Sequence, residues 1–153
     1  MNLTVDRDTV ISRLLGANDI LILCHKNPDG DTIGSGTALC LALQRLGKTA
    51  SVLCSDPIPA MYSYMPIPLF DGSYTPAFVV AVDVAGIQLF GDRNHIQEYA
   101  EHVDLCIDHH GSNSGFALET LVEPEAAAAA ELLTSLIPAM GVELTPDIAA
   151  CLY

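Results

Sequence analysis

The segment HKNPDGDTIGS, residues 25–35, places one imidazole and two carboxylates within seven positions: His25, Asp29 and Asp31. An Asn-Pro-Asp-Gly sequence is an ordinary turn, and a turn needs only one aspartate. Groups of the same kind recur far downstream, at Asp83 and in the run Asp108, His109 and His110. Taken singly, each has an ordinary role. Asp29 suits a turn, Asp31 a helix cap and Asp83 a strand end, while the histidines suit backbone-bonded or solvated positions. Gathered in one place, these carboxylates and imidazoles would repel one another or suffer desolvation unless a cation sat among them. Imidazole nitrogen with several carboxylate oxygens suits a divalent first-row ion, and the oxygen weighting leans to manganese, with magnesium as the alternative, over thiolate-bound zinc. A turn carrying one histidine and two aspartates can address two neighbouring ions. An aspartate from another strand can bridge such ions at about 3.5–4 Å, the arrangement that serves phosphoryl-transfer hydrolysis.

Whether these residues meet depends on the elements that carry them. DILILC, residues 19–24, is too uniformly apolar for a half-exposed strand and suits a parallel strand covered on both faces. Further strands are expected at 49–54, 77–83, 103–110 and 116–122. Helical spacing marks residues 6–17, and a helix is expected over 32–48 with Asp31 or Thr32 as N-cap and Gly47 as its stop. A short helix at 95–101, an Ala-rich helix at 125–141 and a last helix capped by Thr145, with Pro146 at its first position, complete the set. Residues 55–76, rich in Pro and Tyr, read as loop with one helical turn. Strands separated by helical segments predict an α/β fold, a three-layer domain with a mainly parallel sheet flanked by helices. His25, Asp83 and the 108–110 run then follow three different strands, whose carboxyl ends face one edge of the sheet, where ligands bind.

At 153 residues the chain fits one domain over 1–153, and half of it is apolar. Nineteen acids against six bases give a formal charge of −13. That opposes a non-specific phosphate-backbone binder but leaves room for acids that collect metal ions and, through them, an anionic substrate. The five cysteines, 24, 40, 54, 106 and 151, are scattered without a C-x-x-C pair and read as reduced, buried apolar residues. The apolar runs are strand-length and the N-terminus carries no secretory core, so a cytoplasmic protein with no membrane partner is expected.

HKNPDGDTIGS followed by DHHGSN resembles the DHH phosphoesterase superfamily, and more narrowly its oligoribonuclease ("nanoRNase") branch, which also dephosphorylates phosphoadenosine phosphate. The resemblance implies that His25 and Asp29 ligate a first metal, that Asp31 and His109 ligate a second, and that Asp83 bridges them. It implies that His110 faces the scissile phosphate and that Asp108 orients a histidine behind it. Gly34, Ser35 and Asn113 become substrate-binding candidates; close helix packing competes for Gly34 and Ser35, and an ordinary turn for Asn113. The family pattern carries a further Asp, in a G-x-x-x-D-T-like stretch after a segment resembling IAACLY, and a C-terminal substrate-binding domain. The chain ends at Tyr153 before either, so it is expected to be the N-terminal catalytic part of a longer protein. Glu123, Glu125 and Glu131 offer substitute oxygens for that ligand, although an Ala-rich helix surface normally carries such acids to water. The implied partner is short RNA or a nucleotide, and a homodimer is compatible. Two other readings stay open: a non-catalytic nucleotide- or metal-binding module, and a receiver-like signalling domain, which leaves the three histidines idle.

Overall fold

The computed structural model describes residues 2–153. Six strands form one parallel sheet: β1 (Leu3–Thr4), β2 (Ile20–Leu23), β3 (Ala50–Leu53), β4 (Phe78–Val82), β5 (Leu105–Asp108) and β6 (Glu119–Val122), in the order β1-β6-β5-β4-β2-β3. Between them run α1 (Arg7–Gly16), α2 (Gly30–Arg45), α3 (Gln97–Ala100), α4 (Ala129–Ala139) and α5 (Pro146–Leu152). Strand β2 is buried throughout, and its residues alternate between two cores. Ile20 and Ile22 join α1, α2, α4 and α5 on one side of the sheet, whereas Leu21 and Leu23 join Phe90, Ile96 and Val103 on the other. This is the three-layer α/β architecture expected from the alternation of apolar runs. The crossovers through α1 and α2 step towards the β3 edge along one face. Those from β4 to β5 and β6 step the opposite way along the other, as one constant handedness requires. The direction reverses between β2 and β4, which creates the crevice of an open α/β sheet just past His25 and Asp83.

Helix α2 is buried on nearly every side, from Thr32 to Cys40, because it lies between the sheet and the pair α4 and α5. Small residues make that possible. A Cβ on Gly36 would stand 2.9 Å from the Cys24 sulfur, and one on Gly34 would stand 2.2 Å from the Cys151 carbonyl oxygen. Close packing against α5 therefore accounts for Gly34 by itself.

Several elements differ from the sequence-based expectation. Helix α2 begins at Gly30, and its cap is Asp29, not Asp31 or Thr32: Asp29 is extended (φ −100°, ψ −179°) and its Oδ1 accepts from the Thr32 amide at 3.0 Å. The Ala-rich helix begins at Ala129 rather than 125, leaving residues 124–128 as a turn despite their helix propensity. Strand β1, two residues long, pairs with β6 and was not anticipated. The expected helical turn in the 55–76 loop is a 3-10 turn at Ala60–Tyr62, and a second follows β4 at Ile87–Leu89. No helix among the described residues is long and apolar enough to cross a membrane.

The Gly34 contact meets backbone, which cannot yield as a flexible side chain can. Gly34→Ala is therefore expected to cost about 1–3 kcal/mol, read as a lower denaturant midpoint at unchanged m-value. An unchanged midpoint would show that α5 can move away freely.

Candidate metal centre

The chain turns at each strand end so that side chains from β2, β4 and β5 converge. After β2, Asn27 takes a positive φ of 50° and Asp29 caps α2, so that His25 Nε2 lies 3.6 Å from Asp29 Oδ1. After β4, Asp83 is in the left-handed region at φ 63°, uncommon for a non-glycine residue and frequent at functional sites. Its amide donates to the Ile107 carbonyl at 2.9 Å, tying it to β5. The Asp83 carboxylate then faces two ways. Oδ2 lies 3.8 Å from His25 Nε2, while Oδ1 lies 3.2 Å from His109 Nε2 and 3.6 Å from His110 Nδ1. The side chain is 3% exposed, and Oδ1 is buried without a hydrogen-bond partner.

The histidines are oriented from behind. His25 Nδ1 lies 2.6 Å from the Lys26 carbonyl and His109 Nδ1 3.3 Å from the Ala126 carbonyl. A carbonyl only accepts, so Nδ1 carries the proton and the Nε2 lone pair is directed into the site, the usual arrangement behind a metal-binding imidazole. His110 differs: its Nδ1 lies 2.7 Å from Asp108 Oδ1, which also accepts the His109 amide at 2.8 Å. Asp108 is fully buried, and its second oxygen accepts from the Asn113 side-chain amide at 2.8 Å.

Asp31 sits in the first turn of α2, and its carboxylate caps a different helix. Oδ2 accepts from Ala129 N and Oδ1 from Ala130 N, both at 2.9 Å, at the start of α4, whose own cap position, Ala128, has no side chain to offer. Ser35 Oγ adds a third bond to the carboxylate, at Oδ1, at 3.2 Å. With two bonds accepted at Oδ1 and one at Oδ2, the remaining Oδ2 lone pair is free, on the oxygen 3.5 Å from His109 Nε2.

The donors therefore fall into two sets that share Asp83: His25, Asp29 and Asp83 on one side, and Asp108, His109, His110 and Asp83 on the other, with Asp31 Oδ2 beside the second, 3.5 Å from His109 Nε2. Both sets fit a divalent cation. The orphaned Asp83 oxygen lacks a positive partner, and the free atoms are carboxylate oxygens and imidazole nitrogens. Cys24 and Cys106 nearby are held as thiols, because burial pushes both well above the usual range. With no cation present, burial first, then the charges of Asp31 and Asp29, push the Asp83 carboxyl up to about 9.

Of the substrate-binding candidates, Ser35 is buried against Asp31, and Gly34 is packed under α5. Asn113 spends its amide hydrogens on Asp108 and the Val84 carbonyl, while its oxygen accepts from Gly115 N. Glu123 is paired with Arg7 at 2.7 Å, Glu131 accepts from Ala127 N, and Glu125 is exposed. Thr32, read from the sequence only as a possible cap, has another role. Its hydroxyl donates to the Val82 carbonyl at 3.0 Å and accepts from His25 N at 3.4 Å, pinning the start of α2 to both strand ends. A threonine in a first helical turn carries no mark of such a role.

The family model of the DHH family, N-terminal domain, matches residues 19–153, and the chain belongs to that family. It is 33% identical over 145 residues to a bifunctional oligoribonuclease and PAP phosphatase, NrnA, of Thermus thermophilus, an alignment covering 85% of this chain and 40% of the relative. An uncharacterised protein of Mycoplasma pneumoniae is 28% identical over 148 residues, covering 93% of this chain and 45% of the relative. The fold matches the crystal structure of an exopolyphosphatase-related protein from Bacteroides fragilis with a TM-score of 0.82 at 24% identity, over 96% of this chain and 47% of that one. The chain thus spans less than half the length of the relatives it matches.

The pH dependence of stability follows from Asp83. A carboxyl whose folded value is raised from 3.8 to about 9 favours folding while protonated. In metal-free protein that contribution is fully present below pH 4 and is lost as pH rises through 9. Asp83→Asn is expected to remove this part of the slope in chelator-treated protein, and manganese is expected to stabilise wild type but not the variant at pH 8. Identical pH profiles for the two metal-free proteins would count against a buried, orphaned carboxylate.

Proposed function

We propose that residues 1–153 form the catalytic domain of a two-metal phosphoesterase that hydrolyses short oligoribonucleotides or a nucleotide such as phosphoadenosine phosphate. The observation that carries this reading is Asp83, whose two oxygens face two separate histidine–aspartate sets. Family membership and the named activities of the Thermus relative support it. His25, Asp29 and Asp83 would hold one ion, and Asp31, His109 and Asp83 the other. Manganese is preferred over magnesium for the imidazole share of the donors. When bound, the ions would lower the pKa of a water to supply hydroxide at neutral pH and offset charge on the phosphoryl oxygens.

The remaining residues do the positioning and the proton work. Asp108 holds the His110 Nδ1 proton and stabilises the imidazolium, so that His110 Nε2 can give a proton to the leaving oxygen. Asn113 fixes Asp108 from behind, which makes it a support for the site as well as a substrate-binding candidate. Gly34 and Ser35 lie past the free amides of the α2 start, so their part in substrate binding would be indirect, through close packing under α5 and the Ser35 bond to Asp31. Five buried cysteines, free among the described residues, support a reducing compartment, the cytoplasm. A homodimer is compatible with this reading.

The manganese-loaded protein is expected to release mononucleotides from oligoribonucleotides, or inorganic phosphate from phosphoadenosine phosphate. A positioned general acid is worth about 100-fold or more, so Asp108→Asn, which releases His110, should lose about that much kcat and Asp83→Ala considerably more. Wild-type turnover in Asp83→Ala would end this reading. One weakly bound ion without turnover in wild type would favour the non-catalytic module.

A further inference from the structure

The backbone of the metal-ligand candidate His25 is held by side chains rather than by the sheet. Its amide donates to Thr32 Oγ at 3.4 Å, and its carbonyl accepts from the Cys54 thiol at 3.3 Å. Among the described residues, no loop or turn amide donates to that carbonyl. The preceding residue, Cys24, donates its own thiol to the Thr32 carbonyl at 3.3 Å. Two thiols, one from the end of β2 and one from the end of β3, therefore brace the loop that carries His25 and Asp29.

The same two residues are neighbours across the sheet. The pairing of β2 with β3 runs in register from Ile20 with Ala50 to Leu23 with Leu53. The Cys24 amide continues it, donating to the Leu53 carbonyl at 3.0 Å, so that Cys24 stands beside Cys54. In-register residues of a parallel pair point to the same face, and both cysteines lie in the core on the α2 side. Neighbouring strands lie about 4.8 Å apart, inside the roughly 4.4–6.8 Å between Cα atoms that a disulfide spans. Cys106 lies in the opposite core, and Cys40 and Cys151 sit on α2 and α5. The two neighbours differ in access. Cys24 is fully enclosed, with Gly36 so close that a Cβ there would stand 2.9 Å from its sulfur. Cys54 is 4% exposed and lines a cleft of about 700 Å³. The charged lining of that cleft is Asp56, Asp71 and Glu98 with His95, which repels an anionic oxidant and admits a small neutral one such as hydrogen peroxide.

We propose that Cys24 and Cys54 form a reversible disulfide under peroxide, and that this bond releases His25 from its metal set. The Cys54 sulfur attacks one peroxide oxygen, the O–O bond breaks, and a sulfenic acid and a water form. The Cys24 sulfur then attacks the Cys54 sulfur, the S–O bond breaks, and the hydroxide leaves with the Cys24 proton as a second water. The two thiols together give up two electrons and two protons, which reduce the peroxide. The new bond removes both thiol donors, so the His25 carbonyl loses its partner and Nε2 its fixed approach to Asp29 and Asp83. Burial keeps both thiols protonated, so the pair answers sustained peroxide rather than a brief pulse. In a reducing compartment such a bond is transient. The inference rests on the metal-centre reading and is independent of the substrate.

The test oxidises metal-free wild type with hydrogen peroxide, removes the reagent and maps the cysteines by mass spectrometry without reduction. The expected product links the Cys24 and Cys54 peptides with loss of two hydrogens, and dithiothreitol reverses it. Partners behind a metal ligand are worth about 10–100-fold in metal affinity. Manganese titration of the oxidised protein should therefore show one site weakened by about tenfold or more, restored after reduction, with circular dichroism unchanged. Cys54→Ser keeps a hydroxyl that can donate to the His25 carbonyl, so it should bind manganese as reduced wild type does, before and after peroxide. Cys24→Ala should be equally insensitive to peroxide. Treatment that leaves Cys24 and Cys54 unlinked overturns the proposal, as does a linkage that leaves manganese affinity unchanged or unfolds the protein. If reduced wild type binds no manganese, the metal-centre reading fails and takes the release of His25 with it, whereas the mapped linkage still decides the cysteine pair.

Discussion

A carboxylate placed where water cannot reach it, with one oxygen unmatched by any donor, is the constraint on which the site depends. Asp83 occupies that position at the reversal of strand order, between β2 and β4. Burial opposes its charge, and Asp29 and Asp31 oppose it further, so ionisation requires a cation close by. The fold supplies candidates for holding such a cation on both sides of the same group. His25 approaches Oδ2 and His109 approaches Oδ1, each with its Nδ1 turned to a backbone carbonyl. A single aspartate thus sets the direction in which two strand-end loops must present their side chains.

The second constraint is the dual use of Asp31. Its carboxylate stands in for the missing cap of α4, ninety-eight positions away, while one lone pair is left on the side facing His109. The turn at 124–128 serves the same junction, because Ala126 offers its carbonyl to His109 and Ala127 its amide to Glu131. These bonds draw the Ala-rich stretch out of helix: a net hydrogen bond contributes about 1 kcal/mol, more than the few tenths per residue by which helix formers differ. Helix α4 in turn packs on α2 along with α5, where Gly34 permits the close approach. The helical layer and the site are therefore built from shared parts.

The legible residues were those whose meaning is local or follows from a strand end. His25, Asp83 and the 108–110 run could be placed at one edge because parallel strands deliver their carboxyl ends to the same side, and the sheet does deliver them there. The illegible ones depend on partners far away in the chain. Asp31 reads as a cap for its own helix, yet its neighbour Asp29 takes that role and frees Asp31 for α4. Thr32 reads as a possible cap of its own helix, yet its hydroxyl joins α2 to the ends of β2 and β4. Strand β1, at two residues, is too short to show any period and exists because β6 leaves an edge beside it.

Charge then sets the order in which the site can fill. At physiological ionic strength the Debye length is about 8 Å, so the distant acids of a −13 chain are screened, and the carboxylates of the crevice decide what an incoming phosphate meets. Those are Asp29, Asp31, Asp83 and Asp108, and no lysine or arginine is paired with any of them among the described residues. An anion entering ahead of the cations would face this cluster directly, and in a medium of effective dielectric near 20 each contact at 4 Å costs about 4 kcal/mol. Two divalent ions would match the formal charge of four carboxylates. On the proposed reading, cation binding would come first, and affinity for an anionic substrate would be tied to it by the geometry of the strand ends.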